Sequence, residues 1–299
     1  MSCDVSIKKT FGFNGIEPRT TGHEMIINGQ NINGQNSSVQ NSSRENINRQ
    51  NIRERFDEYI APYDLSDTKI LLKAQHTYRV AELCERIAKS LSMSAEDVDL
   101  AWTSGMLHDI GRFEQVRRYG TFVDAKSVDH AAFGADLLFR EGLAERFLPA
   151  GETWELLETV IRLHNVFELP ETLTSRQRQF CQILRDADKI DIIRVNCEFS
   201  RGEIYNLPEE EFLTSDISDL VLEDALAMRN VLRAHRKTAV DYIVGQISLA
   251  YGLVYPESRK IILEQGYLEK IMNFESQNPD TMKKMARIRE RVIMFLGDQ

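Results

Sequence analysis

Cysteine is scarce in this chain. Of 299 residues only Cys3, Cys84, Cys181 and Cys197 are cysteine, and no two form a CxxC. That spacing excludes a structural zinc knuckle and leaves the four to be read as buried reduced thiols of a cytoplasmic protein. Long apolar runs are also missing. The longest, VDYIVGQISLAYGLVY at residues 240–255, is interrupted by Asp241, Gln246 and Ser248. It falls short of the ~20 apolar residues a membrane span needs and reads as a buried helix. The first residues, MSCDVSIKKTFGFNG, contain no apolar segment of a secretory signal. Basic residues do not predominate: 37 Lys and Arg face 46 Asp and Glu, a net charge of −9. Broad binding to nucleic acid through phosphate neutralisation is therefore not expected, and neither is a membrane partner. A local basic pocket remains compatible with that balance.

Alternating β patterns are nearly absent as well, and what is present is helical. Residues 1–50 stand apart, because NGQNINGQNSSVQNSSRENINRQN carries almost no apolar side chain. Such a segment cannot bury enough surface to offset chain entropy, so it is expected to be a disordered tail. Residues 51–200 are expected to form a helical core and 201–299 a helical extension packed on it as one unit. KILLKAQHTYRVAELCERIAKSL, at 69–91, has helical apolar spacing. Ser94-Ala95-Glu96-Asp97 resembles a capping box opening a helix that runs to about Asp109. Further helices are expected from Asp129-His130, from Thr153 to near Asn165, and over 174–196, 218–234, 236–252, 256–265 and 278–297. The fold class is all-α.

Several polar residues fall on the apolar faces of these helices. His76 aligns with Val80, Leu83 and Ile87; His130 with Phe133, Gly134, Leu137 and Leu138; His164 with Leu157, Val160 and Ile161. His108 follows Ala101 and Gly105, small residues expected to leave room beside it, and Asp188 shares a face with Leu184 and Ile192. In GMLHDIGRFEQV an apolar helix is expected to run into His108-Asp109 and end at Gly111-Arg112. His235, in RAHRK, is expected to face solvent instead. One such histidine is usually a satisfied core residue. Several on separate helices need partners, and a shared metal centre supplies one to all of them. Imidazoles and carboxylates suit first-row transition metals, and six ligands exceed what one ion needs beside substrate and water. Two ions sharing Asp109 is the preferred reading.

The order His76…His108-Asp109…Asp188, with HTYRV, LHDIGR and RDADKID as local signatures, resembles the HD superfamily of metal-dependent phosphohydrolases over about residues 68–195. His130 in SVDHAAFGADLL and His164 in IRLHN further resemble its two-metal subset. That subset includes bacterial diadenosine-tetraphosphate hydrolases, HD-GYP cyclic-di-GMP phosphodiesterases and mixed-valent di-iron oxygenases. The resemblance implies an HD-domain helical bundle. It implies that His76, His108, Asp109 and Asp188 hold a first divalent ion, with Asp109 bridging to a second on His130 and His164. Manganese, iron, zinc, nickel and magnesium all suit such a set. There is no Gly-Tyr-Pro element, Asn165 follows His164 where HD-GYP proteins pair two histidines, and Arg112 stands where they usually carry Lys. Cyclic-di-GMP cleavage is therefore disfavoured.

The expected activity is hydrolysis of a phosphoester or phosphoanhydride by a metal-activated water, with a small phosphorylated substrate such as a nucleotide. A di-iron oxygenase and a non-catalytic nucleotide sensor are the alternatives. Arg112 and Arg79 are candidate phosphate clamps, with Lys189 and Tyr119 as further substrate-binding candidates. Tyr119 lies in RRYGTFVDAKS, a loop between two ligands that could line the pocket mouth or simply be solvated. Asp129 and Asp191 are candidates to orient ligand histidines, and Asp129 is equally suited to cap a helix.

Overall fold

The structure, a computed structural model, describes residues 47–149, 151 and 153–297. Most of the Asn/Gln/Ser-rich tail, and Cys3 with it, lies outside the described residues. Helices follow one another as α1 (Arg49–Ile60), α2 (Thr68–Ser90), α3 (Ala95–Leu107), α4 (Ile110–Tyr119), α5 (His130–Phe139), α6 (Thr153–Arg162) and α7 (Ser175–Glu198). The C-terminal part adds α8 (Arg201–Tyr205), α9 (Glu209–Thr214), α10 (Asp219–Leu226), α11 (Ala239–Ile247), α12 (Pro256–Gln265), α13 (Tyr267–Met272) and α14 (Pro279–Gly297). No strand occurs among the described residues, and the fold is all-α.

Local chemistry sets the helix boundaries. The Ser94 hydroxyl accepts from Asp97 N at the start of α3, and Asp129 accepts from Ala132 N at the start of α5. Thr174 and Gln177 form a reciprocal capping box on α7. Helix α1 begins at Arg49, earlier than its apolar pattern suggests, because the Asn48 side chain caps it. Two long C-terminal patterns break into shorter pieces. After α10 the chain turns at Met228, whose φ of 56° is left-handed. After α11 the Ser248 hydroxyl bonds back to Gly245 O and takes Val231 N, and residues 248–252 tighten into a 3-10 turn.

Helix α2 packs against α3 and α7, and α5 packs against α4 and α6. The 3-10 turn after α11, together with α12 and α13, covers another side of α7. The described residues from 47 to 297 form one compact unit. Its core includes Phe56, Trp102, Phe113 and Phe180, all essentially without solvent contact. Each such side chain contributes ~1.5–3 kcal/mol on burial. Two close helix crossings depend on glycine. A Cβ on Gly105 would lie 2.6 Å from Ala81 Cα, and one on Gly111 would lie 2.7 Å from Gly134 N. Gly105 therefore serves the α2–α3 approach rather than opening space beside His108. Gly111 sits inside α4 and does not end a helix.

The helix break lies at His108-Asp109 itself. His108 caps α3, Asp109 has φ −102° and ψ 14°, and α4 restarts at Ile110. That short turn lets two consecutive side chains reach the same interior point.

Candidate metal centre

Four imidazoles and two carboxylates converge between α2, the α3–α4 turn, α5, the end of α6, and α7. His76, His108, Asp109, His130 and His164 are all at least 95% buried. His76 Nε2 is 3.3 Å from His108 Nε2 and 3.1 Å from Asp188 Oδ1. His130 Nε2 is 3.0 Å from His164 Nε2. Asp109 stands between the two pairs and gives each a different oxygen. Its Oδ2 lies 3.7 Å from His76 Nε2 and 3.6 Å from His108 Nε2. Its Oδ1 lies 3.5 Å from His130 Nε2 and 3.9 Å from His164 Nε2.

The other nitrogen of every ring is occupied. His108 Nδ1 donates to Gly105 O and His164 Nδ1 to Ile161 O, both at 2.7 Å. His76 Nδ1 donates to Asp191 Oδ2 at 2.6 Å, and His130 Nδ1 to Asp124 Oδ2 at 2.7 Å. Carbonyl and carboxylate oxygens can only accept here, so Nδ1 carries a proton in all four rings and the Nε2 atoms turn inward. Burial, with the neighbouring histidines, pushes His164 down to about 3; burial likewise lowers His108. Their Nε2 lone pairs are therefore free at neutral pH. Ring nitrogens that face one another across about 3 Å need a proton or a metal cation between them. Ligands around an ion with bonds near 2.1 Å are separated by about 3.0–3.5 Å. His76-His108-Asp109 and Asp109-His130-His164 are thus two groups that could each hold a metal ion, and the residues fit the divalent pair expected.

Burial alone would raise Asp109, yet Lys73, His108, Arg112 and His130 together hold its carboxyl well below the usual carboxylate range. Asp188 is likewise lowered, with His76 and the other histidines outweighing its burial. Both carboxylates stay ionised and ready to coordinate.

Around the cluster the arrangement differs from the expected one in several places. Asp191 accepts from His76 Nδ1 and also takes Arg79 Nε at 2.6 Å and Nη2 at 2.9 Å. Arg79 is thereby committed to a carboxylate that orients a histidine, and is not free to clamp a phosphate. Arg112 is also engaged: its Nη1 donates to Gln115 Oε1, Phe122 O and Asp124 Oδ1. Its buried Nε has no hydrogen-bond partner and faces Asp109 Oδ1 at 3.6 Å. Lys189 Nζ donates to Gly252 O, turning toward the C-terminal helices. Tyr119, the last residue of α4, is 47% exposed and is not brought to the cluster by any hydrogen bond. Asp129 caps α5 and accepts from Asn165 Nδ2, so it does not orient His130. His235 is only partly exposed and donates from Nδ1 to Asp224.

Two residues that the sequence reading did not single out are central. Asp124 links Arg112 to His130 by its two oxygens. It lies in an aperiodic loop, and only its position six residues before His130 hinted at it. Lys73 Nζ sits 2.8 Å from Asp109 Oδ2. Its place three residues before His76 puts it on a neighbouring face of α2, a signal that was available.

Residues 74–193 match the family model of the HD domain. No curated protein and no solved structure matches the chain.

Proposed function

We propose that this protein, which carries an HD domain over residues 74–193, hydrolyses a phosphoester or phosphoanhydride of a small substrate such as a nucleotide. The observation that carries this reading is the position of Asp109, with one oxygen toward His76 and His108 and the other toward His130 and His164. Two divalent ions on this set would supply a hydroxide at neutral pH and neutralise phosphate oxygens.

The chain's own residues then divide the remaining work. Asp109 bridges the two halves and stays ionised under the influence of Lys73 and Arg112. Asp191 and Asp124 hold His76 and His130 in the Nδ1–H form, so that each presents Nε2. Lys73, whose side chain is 24% exposed, is more open to solvent than Arg79 at 19% or Arg112 at 13%. Its ammonium gives one of three N–H donors to Asp109 and keeps the others for a substrate phosphate, so it replaces Arg79 as the candidate. Arg112 contributes through the field of a guanidinium pinned by Asp124, Gln115 and the Phe122 carbonyl.

The test is phosphate release from a panel of nucleotides, dinucleoside polyphosphates and small phosphate esters, with manganese added and oxygen excluded. Turnover by the native chain and its loss in Asp109→Asn support the reading. Turnover that requires oxygen would favour the oxygenase alternative, and nucleotide binding without turnover would favour a sensor.

A further inference from the structure

The segment RDADKID brings Asp188 to the cluster, 3.1 Å from His76 Nε2, and the structure sends its other polar residues elsewhere. Asp186 accepts from Val254 N and Tyr255 N. Lys189 reaches Gly252 O, and Asp191 holds His76 and Arg79. Arg185 remains, and it is the unusual member. It is 93% buried, with 7% exposure, and none of its hydrogen bonds goes to a carboxylate. Its Nη1 donates to Leu163 O and His164 O, both at 3.3 Å, and to Val166 O. Its Nη2 donates to Phe167 O at 3.0 Å.

These carbonyls belong to the turn immediately after α6, where helix geometry leaves backbone oxygens unpaired. A cation there also complements the helix dipole. The planar guanidinium reaches four oxygens at once, which an ammonium cannot do. His164 lies inside that turn. Its ring donates back to Ile161 O while its own carbonyl receives Arg185. Arg185 and Asp188 are three residues apart on α7, so one helix supplies a ligand to one half of the centre and a clamp to the other.

We infer that Arg185 is a positioning residue for the second ion: it fixes the turn that aims His164 Nε2 beside His130 and Asp109. This rests on the two-ion reading above. Without the clamp, four carbonyls of the turn, the buried one of His164 among them, lose their shared partner and the His164 ring loses its single orientation. The His76–His108 half keeps its own supports, Asp191 and Gly105 O.

The test uses the full chain with Arg185→Met and Arg185→Lys, read in two ways. In metal-free protein, long-range proton–nitrogen correlation of the imidazoles reports each ring's tautomer, with His164 assigned by His164→Gln. The native protein should show His164 in the Nδ1–H form. Arg185→Met should mix its tautomers while His108 stays as it was. In manganese titrations the native protein should bind two ions. Arg185→Met should weaken the second by roughly tenfold or more and leave the first within about threefold, with Arg185→Lys nearer to Met than to native. An unchanged His164 with full second-ion affinity overturns the inference. So does equal damage to both halves, or failure of both variants to fold, because Arg185 would then be a general structural residue. A native protein that binds one ion overturns the two-ion reading instead, while the tautomer measurement still decides the role of Arg185.

Discussion

Asp191 Oδ2 lies 2.6 Å from His76 Nδ1, across 115 positions of sequence, and the same carboxylate is gripped by the Nε–Nη2 edge of the Arg79 guanidinium. The ring of His76 is thus oriented from a distant helix before any ion arrives. Asp191→Asn should weaken the first ion by about 10–100-fold and leave the second near its native affinity. Calorimetric titration with manganese checks this. Equal loss at both ions would remove Asp191 from a specific role at His76.

That pair also sets the pH dependence of metal binding. Burial and Lys73 act to lower His76, but Asp188 and Asp191 outweigh them and raise it above 6.5. In the metal-free protein the contribution of His76 to stability is therefore complete below its unfolded value and is lost as pH rises through the raised one. Metal must displace this proton, so affinity for the first ion should rise with pH up to the raised value and then level off. His108 and His164 are lowered, are already neutral, and should release none. Calorimetry in buffers of different ionisation enthalpy should show net proton release with the first ion. No release at neutral pH would count against this assignment.

Lys73→Met removes the ammonium from Asp109 and leaves a 98%-buried carboxylate short of a partner. The metal-free protein should lose about 1–3 kcal/mol, less than a fully buried pair would because Lys73 is partly exposed. Saturating manganese should close most of that gap, since a bound cation offsets the same charge. Thermal melting with and without manganese measures both. A deficit that manganese leaves intact would mean that Lys73 acts through packing.

Gly105→Ala tests the α2–α3 crossing. Alanine is the better helix former by ~0.5–1 kcal/mol, yet its Cβ would stand 2.6 Å from Ala81 Cα and 2.8 Å from Ala81 N. Backbone cannot step aside as a flexible side chain can, so a net loss of about 1–3 kcal/mol is expected. Gly151→Ala, with nothing within 4 Å, is the control and should stay near neutral. Denaturant midpoints compare the two, and a Gly105→Ala protein as stable as native would show that the helices part readily.

The six residues that converge were legible in the sequence because five of them interrupt an apolar helical stripe and Asp109 adjoins one, and a buried polar group must find a partner. The same periodicity announced α2, α3, α5 and α7, and also α12 and α14, whereas the patterns at 218–234 and 236–252 came out shorter, as α10 and α11. There Met228 and Ser248 made local backbone choices that periodicity does not register. The tertiary structure alone decided what stands behind each ligand. Asp191 was a candidate on spacing, but its bond to His76 and its capture of Arg79 required α2 and α7 to pack face to face. Asp124 in place of Asp129 behind His130, and Arg185 around the turn of His164, followed from loop geometry that leaves no periodic trace. Which residues must be buried together follows from pattern, because burial acts on every residue of a helix face alike. Which donor meets which acceptor does not, because a hydrogen bond depends on side-chain orientations that only the packed chain sets.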